Sequence, residues 1–201
     1  MAVVNEFVYD GHKHHSVLSF GQQYENIIVI DSISKRFSAC GARIGSVISK
    51  NQQLLQMILK MAQARLSPPT FGQIGAEAVF RLPEEYYQTN IAEYQKRRDV
   101  VLAWLQKIPG VFCPEINGAF YAMARLPVDD SNRFCEWMLK EFRHHNSTVM
   151  LAPGSGFYVT PGLGSDEVRI AYVLNCDDLT TAMECLEAGL AAYPGRTGTA
   201  K

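Results

Sequence analysis

The 201-residue sequence predicts an α/β fold that passes into a smaller α+β region. Three observations predict it. The runs "NIIVIDS" from Asn26 and "RIGSVIS" from Arg43 are short, apolar and β-branched, the texture of buried strands. Apolar residues at helical spacing follow them. Beyond about Ile91, strand-like and helix-like runs are mixed.

In chain order, the two strands come first, with the stretch "DSISKRFSACGARIG" around and between them. Leu54, Leu55, Ile58, Leu59 and Met61 predict a helix from Asn51 to about Leu66. "SPPTFGQIGAEAVFRL" opens with Ser67 before Pro68 and Pro69, a helix entry. A long helix is expected from Pro83 to the Pro-Gly pair at Pro109, its apolar stripe made by Ile91, Tyr94, Val101, Leu102 and Leu105. Trp104 and Trp137 fall at apolar helix positions and read as core, whereas Glu84, Glu85 and the "KRRD" run at Lys96 read as exposed faces. Then "GAFYAMARL" reads as a strand, Asn132 to His144 as a helix, "TVMLAP" and "EVRIAYVLN" as strands, and "DLTTAMECLEAGLAAY" as the last helix. The tail "PGRTGTAK" reads as frayed. The resulting domain expectation is residues 1–90 and 91–201.

A formal charge of −1 gives no footprint for nucleic acid or an anionic membrane, so the expected partner is a small molecule or a protein. Five widely spread cysteines, none in a C-x-x-C pair, argue against a disulfide framework or a zinc knuckle. With no leader-like N-terminus and no membrane-length apolar run, the expected location is the cytoplasm. His12, His14 and His15 in "GHKHH" lack a nearby carboxylate or thiol and read as a solvated turn, so no metal is expected.

The stretch between the strands carries the chemistry. A buried lysine loses stabilisation of its ammonium form and becomes available as nucleophile or base. An arginine offers a planar fork to a phosphate, a serine hydroxyl adds a hydrogen bond, and glycines admit a flat ligand. If the strands turn back on one another, Lys35 and Arg43 come within reach of one molecule that is both aldehyde and phosphate, and pyridoxal phosphate is such a molecule.

Ser32, Lys35, Phe37, Gly41, Arg43 and Gly45 together resemble the lysine-attachment site of class I, fold-type I aminotransferases. "SDEVRIAYVLN" resembles the family's late strand, whose arginine, here Arg169, grips the substrate α-carboxylate. Alternation puts Val168, Ile170, Tyr172 and Leu174 on one face and Arg169 on the other. "NGAFYAM" and "VMLAPGSGFY" resemble small-domain strands of the same family, and the aspartate aminotransferase-like branch is the nearest in kind.

The resemblance implies amino-group transfer between an amino acid and a 2-oxo acid. Lys35 would hold pyridoxal phosphate as a Schiff base and then move a proton, Ser32 and Arg43 would bind the phosphate, and Arg169 would orient the substrate. It also implies that residues 1–90 are the C-terminal part of the family's cofactor-binding large domain and 91–201 its small domain. A homodimer is implied, with the "SPPTFGQ" segment approaching the partner's site. The chain departs from the pattern where the family has Asp-Glu-x-Tyr ahead of "EFVYDG": the Asp and Tyr places hold Met1 and Val4. A chain without them is expected to transaminate weakly or not at all, and the alternative is a non-catalytic binding or scaffold module. Ser32-x-x-Lys35 also matches the serine-acylation motif of penicillin-binding proteins, with "RTG" at Arg196 as its late partner. That motif should open a helix and be joined by a Ser-x-Asn, whereas Lys35 follows a strand and "RTG" lies in the tail.

Overall fold

A computed structural model describes residues 6–20 and 25–198; Met1 and Val4 lie outside them. The chain divides into two units. One runs to Ile91 and takes in Asn117–Ala119; the other holds Ala92–Ile116 and the chain from Phe120 onward.

In the first unit, β1 (Ile28–Ser32) and β2 (Gly45–Ser49) pair antiparallel, Ile28 opposite Ser49 and Ser32 opposite Gly45. The expected reversal is there, but the expected burial is not. Only Val29 of the ten residues is buried; Ile28 and Ile30 are 49% and 50% exposed. A two-stranded sheet has too little around it to cover both faces. The lysine stretch, placed by the sequence between two strands, opens with a single helical turn, α1 (Ile33–Arg36). Ser32 starts that turn by capping it: its hydroxyl oxygen accepts from Ser34 N at 3.1 Å.

α2 (Gln52–Arg65) is capped by Asn51, whose side chain accepts from Leu54 N at 2.9 Å. The helix falls where its apolar spacing put it, yet none of its residues is buried. α3 (Thr70–Val79) enters at Pro69, as the double proline indicated. The core of the unit gathers Ile33, Phe37 and Ala76, with Ile44, Val79, Leu82, Tyr86 and Tyr87 packed around them. The unit also joins distant sequence: Ala119 N donates to Phe7 O at 2.7 Å, and Tyr9 N donates to Asn117 O at 3.1 Å. The Tyr9 hydroxyl adds a 2.5 Å bond to Ala119 O.

α4 (Glu84–Lys107) follows Pro83, with Glu84 and Glu85 in its first turn, where carboxylates complement the helix dipole. Val101 and Leu105 of the expected stripe are buried. The exposed reading of "KRRD" fails at Arg98, which is 5% exposed. Its guanidinium is satisfied inside, Nη1 donating to Ile116 O at 2.7 Å and Nε to Asp99 at 2.7 Å, which is how a charged head is kept in a core. Trp104 and Trp137, expected in the core, are half-buried.

The second unit contains β3 (Tyr121–Arg125), β4 (Ala152–Pro153) and β5 (Glu167–Ala171), antiparallel in the order β3-β5-β4. Ala122 and Ala124 of β3 and Val168 and Ile170 of β5 are buried, as are Phe134 and Met138 of α5 (Ser131–Lys140) and Leu186 and Leu190 of α6 (Cys176–Ala192). α5 stops at Lys140 rather than His144; His145 and Asn146 take positive φ, and His144 and Ser147 bond to each other across a turn. "TVMLAP" is strand only at its last two residues. Leu174, placed by alternation on the buried face, is 48% exposed because β5 ends at Ala171. The tail is not frayed through its described part: Thr197 N donates to Pro127 O at 2.8 Å and Asp129 N to Gly195 O at 2.9 Å. No described helix is long and apolar enough to cross a membrane.

Candidate functional site

In the first unit, Ser32, Ser34, Arg43 and Gly45 line one open cleft of about 350 Å³, together with Asp31, Ser46, Arg65 and Pro68. The β1–β2 register makes it, because Ser32, the last residue of β1, is directly opposed to Gly45, the first of β2. Gly45 is required there: a Cβ on it would lie 2.9 Å from Asp31 O. Ser32 is tied by its cap and by a 3.1 Å bond from its hydroxyl to Ile44 O, so the two ends of the lysine stretch are pinned together.

Arg43 has φ +55°, a left-handed backbone that costs a non-glycine residue about 1–3 kcal/mol and that collects at functional sites. Its Nη1 donates to Cys40 O at 2.8 Å, and among the described residues it has no carboxylate partner. Asp31, the acid of the cleft, is already engaged: it accepts from Ser32 N at 2.8 Å and from Arg36 Nη2 at 2.9 Å. Two arginines and several hydroxyls with one compensated carboxylate form a cationic, hydroxyl-rich concavity, the chemistry of an anion site.

Lys35, which the sequence reading put within reach of the same molecule as Arg43, is exposed on α1 and is not among the residues lining the cleft, although its neighbour Ser34 is. The short helix turns successive side chains apart, so a lysine one residue after a lining serine faces elsewhere. Asp31, Ser34 and Arg65 were missed as cleft residues. Ser34 lies inside the quoted motif and could have been found from it; Arg65, in the last turn of α2, carried no local signal.

Arg169 lies in the second unit, on the central strand β5, opposite Met123 of β3 and Ala152 of β4. It is half-buried, and its guanidinium carbon stands 4.5 Å from the ring centroids of both Tyr121 and Phe157. Tyr121 reaches it because it is the diagonal neighbour on the same face of the antiparallel pair. Two rings hold the planar group in orientation by cation–π attraction, and among the described residues no carboxylate competes for it. Nearby, the Tyr158 hydroxyl donates to Glu167 Oε2 at 2.5 Å, and that bond raises the Tyr158 phenol above its ordinary range. No group of histidines, cysteines and carboxylates that could hold a metal occurs among the described residues.

Residues 5–186 match the family described as aminotransferase class I and II. The chain is 30% identical over 188 residues to an aspartate aminotransferase of Pyrococcus horikoshii, covering 92% of this chain and 46% of that protein. It is 32% identical over 187 residues to the (5-formylfuran-3-yl)methyl phosphate transaminase of Methanocaldococcus jannaschii, covering 90% of this chain and 46% of that protein. Among solved structures, an aromatic aminotransferase from Pyrococcus horikoshii superposes with a TM-score of 0.81 at 30% identity, covering 94% of this chain and 50% of that one. The chain thus spans about half the length of the relatives it matches. A match over nearly the whole chain in sequence and in fold means that this protein belongs to the class I and II aminotransferase family.

Proposed function

We propose that this chain carries the lysine and carboxylate-binding half of a pyridoxal-phosphate-dependent aminotransferase, aspartate aminotransferase-like, acting between an amino acid and a 2-oxo acid. The single observation that carries the reading is that Ser32 and Arg43, brought together by the bond from Ser32 to Ile44 O, line one anion-suited cleft beside the turn that bears Lys35. The family uses pyridoxal phosphate, and the donor set fits its phosphate: hydroxyls, a guanidinium without a carboxylate partner and a glycine approach.

In this reading residues 1–90 are the C-terminal part of the cofactor-binding domain and 91–201 the small domain. Ser32 and Arg43 hold the phosphate. The Lys35 amine would hold the cofactor's aldehyde carbon, and the same amine would carry the proton at the substrate Cα. Arg169 fixes the α-carboxylate, and its contacts with the Tyr121 and Phe157 rings hold the guanidinium for a bidentate grip. The bound cofactor supplies the electron sink. The chain alone is read as weakly active or inactive, and as self-associating, with a homodimer as the expected assembly.

The non-catalytic alternative is favoured by one observation, the exposure of Lys35 outside the cleft lining. One experiment separates the two. Pyridoxal phosphate is added, the protein is reduced with borohydride, and the labelled peptides are mapped. Label confined to Lys35, and lost in Lys35→Ala, supports the enzyme reading. Label spread over surface lysines at equal occupancy refutes it and leaves a binding module.

A further inference from the structure

We propose that Arg65 is a second cationic arm of the cleft, closing on the same phosphate as Arg43. The inference rests on the cleft being a phosphate site and adds a residue that the lysine motif does not contain.

Arg65 ends the fourteen-residue helix α2, and the chain reverses immediately after it at Leu66, with φ +73°. That reversal sets both Arg65 and Pro68 in the lining of the cleft, against Ser32, Ser34 and Arg43. The bland role for Arg65 is to complement the negative end of its own helix. Three facts exceed that role. Among the described residues Arg65 has no ion pair and no side-chain hydrogen bond. The acid of the cleft, Asp31, is already paired with Arg36. Arg43 and Arg65 line the same concavity, so an anion bound there meets two guanidiniums. A phosphate monoester, with close to two negative charges near neutral pH, satisfies both forks where a carboxylate satisfies one.

The test measures how much the phosphate contributes. Lys35 labelling by borohydride reduction is titrated with pyridoxal phosphate and, in parallel, with pyridoxal, in the wild-type chain and in Arg65→Gln, Arg65→Lys, Arg43→Gln and Arg81→Gln. Arg81 pairs with Glu77 outside the cleft and controls for net charge. The wild type is expected to half-saturate at least tenfold lower with the phosphorylated compound. Arg65→Gln should shrink that preference about tenfold with the pyridoxal curve unchanged, Arg65→Lys should retain part of it, and Arg81→Gln all of it. A wild-type preference that survives in Arg65→Gln but collapses in Arg43→Gln overturns the role of Arg65 and leaves the phosphate site standing. An equal loss in Arg81→Gln reduces the effect to net charge and overturns it as well. If the wild type shows no preference, the phosphate site itself fails and the second arm with it.

Discussion

Arg36 Nη2 lies 2.9 Å from Asp31 Oδ2, so the residue after Lys35 is tied back to the strand that precedes it. Its Nε is also 2.6 Å from Glu6 Oε1, and the Arg36 side chain is only 14% exposed. Replacing Arg36 by Met strands two carboxylates that share a half-buried site, at a cost of about 1–3 kcal/mol. The urea unfolding midpoint should fall accordingly. Adding Asp31→Asn to Arg36→Met should recover part of the loss, because the neutralised acid no longer needs its partner.

Arg43 sets stability against binding. An asparagine tolerates the left-handed backbone at φ +55° better than an arginine does. Arg43→Asn should therefore unfold at an unchanged or slightly higher urea concentration, while the preference of Lys35 labelling for the phosphorylated compound falls about tenfold or more, in line with a charge-assisted hydrogen bond.

The alkaline limit of the fold should carry the mark of Tyr193. Burial, with the hydrogen bond to Asp129 and the Asp129 charge, pushes its phenol from 10.0 up to about 12. The folded state keeps this proton longer than the unfolded one, so the stabilisation is complete below pH 10 and is lost between about pH 10 and 12. The Cys113 and Cys135 thiols, raised by burial from 9.0 to about 11, begin the same loss nearer pH 9. Melting temperatures between pH 9 and 11.5 should fall more gently in Tyr193→Phe than in the wild type; equal slopes would contradict the assignment.

Arg169 is held by rings and not by acids, which separates its fold role from its binding role. Arg169→Leu should cost the fold at most about 0.5–2 kcal/mol, the worth of the cation–π contacts. It should weaken binding of a 2-oxo acid, followed by calorimetric titration, by about tenfold or more. Phe157→Leu keeps the cation and should lose only a part of that affinity.

Much of this was legible where a local rule decides. Asn51, Pro69 and Pro83 marked helix starts, and the alternation around Arg169 predicted the buried Val168, Ile170 and Tyr172. What failed was burial that depends on neighbours. The apolar runs of β1 and β2 look internal because composition reports what a strand is suited to face, not what surrounds it. Arg98 failed in the opposite sense, since a charged residue is admitted to a core only by partners, here Ile116 and Asp99, and the carbonyl of Ile116 is far away in sequence. Ser32, Lys35, Arg43 and Arg169 were named from pattern alone; that Ser32 and Arg43 share a cleft with Arg65, and that Lys35 does not line it, required coordinates.

α2 supplies a further prediction. Met57, Met61 and Leu66 are 63%, 71% and 77% exposed, and Phe71 beyond them is 90% exposed. Apolar surface on this scale favours association. The sedimentation coefficient of the chain should rise with concentration, and Met57→Glu with Met61→Lys should flatten that rise without changing the unfolding free energy by more than about 0.5 kcal/mol.

The pairing of Phe7–Tyr9 with Asn117–Ala119 has a consequence in the order of events during synthesis. The first unit is discontinuous: its last backbone partners arrive only after the long helix and the following loop have been made. A ribosome that has released residues through Ile91 has delivered most of that unit but not its closing clasp, and contacts of such high sequence separation form late. Nascent chains arrested before Asn117 should therefore be cut readily by protease near Tyr9, and protection there should appear only once Ala119 has cleared the exit tunnel.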